Sequence, residues 1–280
     1  MNGTLYIIAT PIGNLNDITF RAIKTLKTVD IILAEDICHS KHLLNHYDIK
    51  TPMHTFHEHN EICKTPDVIN KLLEGKHIAL ISDAGTPLIS DPGHVLVIEA
   101  KKVGINVSPI PGSNAMISAI SVSGIASNKF SFFGFLPSKQ SARLKVIQSI
   151  VNINEMAIFY ESPNRILSCA QDLQAVLGDE RIVCFAKELT KLFETIKTNT
   201  LPQLIDYLQA DHTHQKGEFV ILISAVKKNN KVSGEEMLNK VLPILLIEMG
   251  TAKAARLVAK MTGFDKRYCY QRAIEFKYPL

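Results

Sequence analysis

The sequence predicts an α/β protein of two domains followed by a small helical tail. Three observations predict it. Short β-branched runs alternate with helical stretches, the Gly, Pro and acidic residues of the N-terminal half gather in loops directly after those runs, and residues 226–280 change to helical patterns with a basic charge balance. The chain has 280 residues, 46% hydrophobic and 21% charged, which is enough apolar surface to exclude a disordered polymer. The apolar runs, such as Val220–Ser224 and the Pro243-interrupted Val241–Ile247, are far shorter than the roughly 20 residues of a membrane helix. Met1–Ala9 enters a strand-like run without a basic n-region. No membrane association and a cytoplasmic location are expected.

In the first domain, residues 1–117, strands are predicted at Leu5–Ala9, Val29–Ala34, His77–Ser82 and Asn106–Ile110. Their spacing suits parallel strands joined by helices, the first of which Asp17 and Thr19 can open and which runs to Lys27. In open parallel sheets, ligands bind at the carboxyl ends of the strands. The loops there carry Pro11, Glu35-Asp36, Asp83 and Gly112, and a ligand site is expected where they meet.

The second domain, residues 118–226, has strand candidates at Phe130–Phe135, Met156–Tyr160, Arg181–Ala186, Glu194–Thr198 and Phe219–Ala225. Helical patterns fall at 140–151, 163–176 and 201–209, and the later strands suit hairpin pairing. A lysine-rich linker, Lys227–Ser233, leads to three helices at about 235–249, 252–262 and 266–276 within a tail domain, 234–280. Thr251 is expected to cap the second helix, Gly263 to end it and Asp265 to cap the third, a helix-turn-helix spacing.

The overall charge of +4 conceals an asymmetry. Residues 226–280 carry 11 Lys+Arg against 5 Asp+Glu, a net of +6, so the remainder is net −2. A basic appendage on a near-neutral body suits a polyanion, because neutralising phosphates supplies much of nucleic-acid affinity. The same helices would equally serve a dimer or the fold. Five scattered cysteines form no C-x-x-C pair, and His39, His42 and His46, although one helix face can present all three, lack a completing carboxylate; no metal is expected.

The P-loop, the Rossmann glycine fingerprint and the G-x-S-x-G elbow are all absent, which disfavours kinase, dehydrogenase and serine-hydrolase chemistry. What remains is Ala9–Leu15, reading ATPIGNL, and Ser82–Gly93, reading SDAGTPLISDPG. Each is a plausible tight turn by itself. Together, after successive strands, they expose many backbone N–H and C=O groups that can read a zwitterionic ligand.

The stretches ATPIGNLNDIT (9–19), FHEHNE (56–61), LISDAGTPLISDPG (80–93), PIPGSNA (109–115), FGFLP (133–137), FYESPNR (159–165), AKELTK (186–191) and KGEFVILI (216–223) run in order along the chain. As a set they resemble the bacterial 16S rRNA ribose 2′-O-methyltransferases of the tetrapyrrole (corrin/porphyrin) methylase superfamily. The resemblance implies a two-domain tetrapyrrole-methylase-like α/β fold, a homodimer, and S-adenosylmethionine bound in the cleft between domains. It implies 2′-O-methylation of cytidine 1402 of 16S rRNA, in the 30S ribosomal subunit. It places Pro11, Ala84, Gly85, Thr86, Ile89, Asn114, Ala115, Tyr160, Glu161 and Gly217 at the methyl donor. One departure stands out: the family commonly has Glu-Asp-Thr-Arg after the second strand, and this chain has Glu35-Asp36-Ile37-Cys38, so a role for that arginine does not transfer.

Methyl transfer from a sulfonium is an in-line displacement, so alignment supplies most of the acceleration. A base that takes the ribose proton adds roughly 10²–10⁴-fold. Glu35, Asp36, Asp83, Glu161, Lys187 and Glu188 stand at strand ends, with His57 and Glu58 in a neighbouring loop. The expected catalytic set is Glu161 or Asp83 near the donor, with Lys187 and Arg165 holding phosphate or ribose. A capping or loop-stabilising role is the alternative for each. A tetrapyrrole or other small molecule is the alternative acceptor on the same fold, and a non-catalytic nucleic-acid-binding protein is an alternative of another class that would leave both Gly/Pro loops without a purpose.

Overall fold

A computed structural model describes residues 2–226 and 234–277. The linker expected at Lys227–Ser233 lies outside the described residues. Residues 1–226 form one compact unit that carries two sheets, and residues 227–280 belong to a second, helical unit.

The first sheet has five parallel strands: β1 (Thr4–Ile8), β2 (Ile31–Ala34), β3 (Met53–Thr55), β4 (Ile78–Ile81) and β5 (Asn106–Ile110), in the order β3-β2-β4-β1-β5. Parallel strands need crossovers, and the helices α1 (Phe20–Thr28), α2 (Ile37–His46), α3 (Glu61–Leu73) and α4 (His94–Lys102) supply them. Side chains alternate between the faces of a strand. In β4, Ile78 and Leu80 enter one core with Leu5 and Phe56, while Ala79 and Ile81 enter the other with Ile8 and Ile32. All four residues of β4 are buried, and both faces are covered.

Thr19 caps α1, its hydroxyl accepting the Ala22 N–H at 3.1 Å, as expected from the sequence. The sequence pattern predicts neither the strand β3 nor the helix α3. β3 is a three-residue edge strand, too short to show a period, and α3 carries Pro66 in its interior. Gly93, at the N-cap of α4, has no side chain to cap with. The buried Glu61 of α3 supplies the acceptor instead: its Oε1 takes the N–H groups of Gly93, Val95 and Leu96 at 3.1, 2.8 and 3.3 Å.

The helix α5 (Ala115–Val122) spans the 117/118 position and packs Ala119 on the second sheet beside Met156 and Ile158. That sheet comprises β6 (Phe130–Phe135), β7 (Met156–Glu161), β8 (Ile182–Lys187), β9 (Thr195–Thr200) and β10 (Phe219–Ile223), in the order β6-β7-β10-β8-β9. β6 and β7 are parallel, and the other neighbours are antiparallel. Helices α6 (Gln140–Ser149), α7 (Ile166–Leu177) and α8 (Leu201–Ala210) cover one face. Arg143 of α6, 4% exposed, pairs with Asp172 of α7 at 2.7 Å and donates to the Pro137 and Ser138 carbonyls, fixing the turn after β6.

In the second unit, α9 (Gly234–Glu248), α10 (Thr251–Thr262) and α11 (Lys266–Lys277) enclose a small core of Leu238, Leu242, Ala254, Ala255, Val258, Cys269 and Ala273. Gly263 ends α10 in the left-handed conformation, φ +75°, and the Asp265 carboxylate accepts the Arg267 N–H at 2.7 Å ahead of α11. The expected cap Thr251 is corrected: the N-cap is Gly250, without a side-chain hydrogen bond, and Thr251 is already helical. Among the described residues, no helix is long and apolar enough to cross a membrane.

Candidate functional site

Parallel pairing puts the ends of β1, β2, β4 and β5 at one edge of the first sheet, so their loops converge. The loops after β1 and β4 are sewn together by a two-residue bridge, Thr10 N–H to Gly85 O at 2.9 Å and Gly85 N–H to Thr10 O at 3.1 Å. The Thr10 hydroxyl adds a bond to Ser82 O at 3.1 Å. Gly85 has φ +82°, and a Cβ there would sit 3.3 Å from Ile12 Cγ2, so the close approach of the two loops needs glycine. Leu88 and Ser90 also have positive φ, at 72° and 69°. Strain of that kind in non-glycine residues is retained where a loop is held in one functional shape.

From the second sheet, the antiparallel register brings Phe219 opposite both Glu161 and Lys187, so the end of β7, the end of β8 and the start of β10 meet. Gly13 lies against this end: a Cβ there would meet Lys191 Cγ at 2.4 Å and Thr190 Oγ1 at 2.8 Å. A cleft of about 540 Å³ remains between the two loop sets, a size common for small-ligand sites.

Asp83, Ala84, Gly85, Thr86, Ile89, Asn114, Ala115, Tyr160 and Glu161 all line this cleft. Pro11 does not; its neighbour Ile12 does, and Pro11 walls an adjoining cavity. Gly217 lies just before the lining residues Glu218–Val220. Its φ is +90° and its Cβ position is filled by Glu188 Cγ at 2.4 Å, so the glycine accommodates Glu188. Arg165 stands behind Glu161, bonded to Oε1 at 2.5 Å, and Lys187, 8% exposed, donates to Thr213 O at 2.7 Å; neither lines the cleft.

Glu161 is 1% exposed, and its two oxygens differ. Oε1 accepts from the Ser162 N–H at 2.7 Å and from Arg165, while Oε2 is buried without a hydrogen-bond partner among the described residues. A buried carboxylate oxygen in that state is an acceptor open to a hydrogen-bond donor. Asn114 is less available, since its side-chain oxygen caps α5 by accepting the Ile117 N–H. The Thr86 hydroxyl donates to Ser113 O at 3.2 Å. Tyr160 is held edge-on by Phe132 and Phe135, with ring centroids 4.9 and 5.5 Å away.

The acidic wall is made by Glu35, Asp83 and Asp91. Asp83 Oδ1 accepts the Asp36 N–H at 3.1 Å, and Asp36 in turn caps α2 through the Cys38 and His39 N–H groups. Burial raises Glu35 above the usual carboxylate range, with Asp83 and Asp91 adding to it. Burial also pushes Asp91 up to about 6; a hydrogen bond to Ser82 opposes this and the Asp83 charge reinforces it. Asp91 and Phe135, which also line the cleft, are not among the site residues expected from the sequence, although both lie within the stretches that carry the resemblance. Glu188, one of the strand-end acids, is used structurally. Burial acts to raise it, but the Glu218 N–H and Lys191 outweigh that and hold it low. Glu58 and His57 do not line the cleft, and among the described residues no cluster of His, Cys, Asp or Glu has the arrangement of a metal site.

Comparison with known proteins bears on this geometry. The family described as Tetrapyrrole (Corrin/Porphyrin) Methylases matches residues 4–205, and the RsmI C-terminal HTH domain matches residues 232–277. The chain is 47% identical over 274 residues to the ribosomal RNA small subunit methyltransferase I of Haemophilus influenzae, covering 97% of this chain and 96% of that protein. It is 44% identical to the protein of the same name from Pseudomonas aeruginosa, covering 98% and 97%. Among solved structures, diphthine synthase superposes with a TM-score of 0.62 at 12% identity, covering 80% of this chain and 90% of that one. The uroporphyrin-III-C-methyltransferase of Thermus thermophilus gives 0.56 at 14%, covering 79% and 94%. At such identities these two establish the fold alone.

Proposed function

Because the chain belongs to the tetrapyrrole (corrin/porphyrin) methylase family, we propose that its cleft is the methyl-donor site of an enzyme that methylates small-subunit ribosomal RNA. Methyltransferases of this family use S-adenosylmethionine as methyl donor. The acceptor we assign is the ribose 2′-oxygen of cytidine 1402 of 16S rRNA, presented by the 30S ribosomal subunit, because a single ribose is better defined by the folded particle than by local sequence. The single observation that carries the reading is the buried, unpartnered Oε2 of Glu161, a residue that lines a cleft of loop backbone and apolar side chains.

The residues present fit the donor. Glu161 Oε2 offers an acceptor to its amino or hydroxyl groups, the Ala84–Thr86 turn offers backbone, and Ile12, Ile89 and Leu189 offer apolar contact. The bound donor supplies an electrophilic methyl group on sulfur. Arg165 is a positioning residue: its ion pair with Oε1 holds the Glu161 carboxylate in place. Asp83 stays braced against the start of α2 and borders the donor cleft. Asp91, pushed up to about 6, is suited to take the ribose proton near neutral pH, with Asp83 of the same wall and Glu161 as the other carboxylate candidates that line the cleft. Lys187 is bonded inside its own half, where it ties the end of β8 to the turn at His212–Gln215.

We further propose a homodimer acting in the cytoplasm. The edge strand β6 supports the dimer, with Phe130, Phe133 and Phe135 exposed by 44%, 41% and 58%. The basic helical unit is proposed to hold rRNA phosphates.

Nucleoside mapping of 16S rRNA from cells lacking this protein tests the assignment. The expected result is loss of the 2′-O-methyl group at cytidine 1402, restored by the wild-type chain and not by Glu161→Gln. An unchanged methylation pattern in those cells would overturn it.

A further inference from the structure

A second cavity, of about 410 Å³, adjoins the donor cleft. Pro11, Leu15 and Leu43 give it apolar walls, His39 and His42 of α2 give it two exposed imidazoles, and Asp83 borders both this cavity and the donor cleft. The two spaces are therefore neighbours across one residue.

Ser40 distinguishes this cavity. It lines the wall, is 3% exposed, and its Oγ has no hydrogen-bond partner among the described residues. Hydroxyls elsewhere in helices of this protein bond back to the preceding turn: Thr65 to Glu61 O at 2.7 Å, and Ser118 to Asn114 O at 2.8 Å. Ser40 leaves that option unused although the Asp36 carbonyl is one turn away. A buried hydroxyl without a partner is unfavourable until something bonds it. The N–H groups at the start of α2 do not make the cavity an anion hole, because Cys38 and His39 already donate to the Asp36 carboxylate. What the cavity offers is a neutral polar contact among rings and apolar walls. That combination suits a flat heteroaromatic ring, stacked on one side and hydrogen-bonded at its edge.

We propose that the cavity between α2 and the Asp83 loop is the acceptor-nucleoside pocket: it takes one nucleoside drawn out of the RNA stack, with Ser40 Oγ on an edge of the base and His39 and His42 against its face. An enzyme that must align one 2′-oxygen of a structured RNA with the donor methyl gains by holding that nucleotide apart from its neighbours. A pocket adjoining the donor cleft is where the isolated nucleoside belongs. The proposal rests on the rRNA reading above and adds to it the binding site for the acceptor.

The test is steady-state methyl transfer from labelled S-adenosylmethionine to small ribosomal subunits purified from cells lacking the protein. It compares wild type, Ser40→Ala and the double variant His39→Ala/His42→Ala, with donor affinity measured by calorimetry on each. Donor affinity is expected to stay within about two-fold, while kcat/KM for subunits falls roughly ten-fold in both variants. The histidines are exposed, so the double variant remains decisive even where Ser40→Ala disturbs α2. Wild-type transfer with kcat/KM unchanged in the double variant overturns this proposal alone. Failure of the wild-type protein to label subunits overturns the reaction and the pocket together.

Discussion

Two carboxylates of the cleft wall make opposite predictions because their surroundings differ. Glu161 is buried with one oxygen on Arg165 and the Ser162 N–H and the other unpartnered. Glu161→Gln keeps the shape but removes the charge that a ligand donor would meet, so donor affinity should fall about 10–100-fold by calorimetry. Arg165→Ala leaves the Glu161 charge buried beside an empty space, and denaturation should show a loss of about 3 kcal/mol. Asp91 is the reverse case. Its folded value, about 6, lies above the ordinary 3.8, so the folded state disfavours its charged form. That penalty is absent below the unfolded value, grows as pH rises between the two, and is complete above the folded one. Asp91→Asn should therefore unfold later than wild type at pH 7–8, by about 1 kcal/mol once solvent screening is allowed for, and equal it near pH 4. If Asp91 is the proton acceptor, the same variant should lose turnover while keeping donor affinity, and wild-type activity should rise with pH through about 6.

At the scale of elements, the cleft depends on residues that never touch a ligand. Glu61 caps α4 from another helix, and that cap fixes the far end of the strained loop from Asp83 to Gly93. Glu61→Ala should cost about 1–2 kcal/mol in chemical denaturation and make the 83–93 loop the first site of limited proteolysis. This role was not legible in the sequence. FHEHNE is a local string, whereas the amides Glu61 meets are more than thirty positions away. The strands other than β3, by contrast, are legible; the four-residue β4 and five-residue β10, for example, are buried on both faces and read as unbroken apolar runs. The cap at Gly250 was misread as Thr251 because glycine there offers no side-chain signal. Within the site, Gly85 and its neighbours were legible through the Gly/Pro turn chemistry. Asp91 was not, since its distinctive property comes chiefly from burial, which a local string does not show.

At the scale of the whole molecule, the charge balance differs between the two compact units. Residues 226–280 carry the net +6, while the cleft and its adjoining pocket belong wholly to residues 1–226. A chain ending at Val226 should keep the donor affinity of the full protein. It should show a higher KM for small subunits and a shallower dependence of that KM on salt, since fewer phosphates are neutralised. The measurement that tests the central claim most directly is transfer of labelled methyl from S-adenosylmethionine to unmethylated small subunits by the full chain, followed by digestion to nucleosides. The account predicts label on the 2′-oxygen of cytidine 1402. Donor binding without label in the rRNA would contradict it and return the acceptor to the small molecules that other members of this fold methylate.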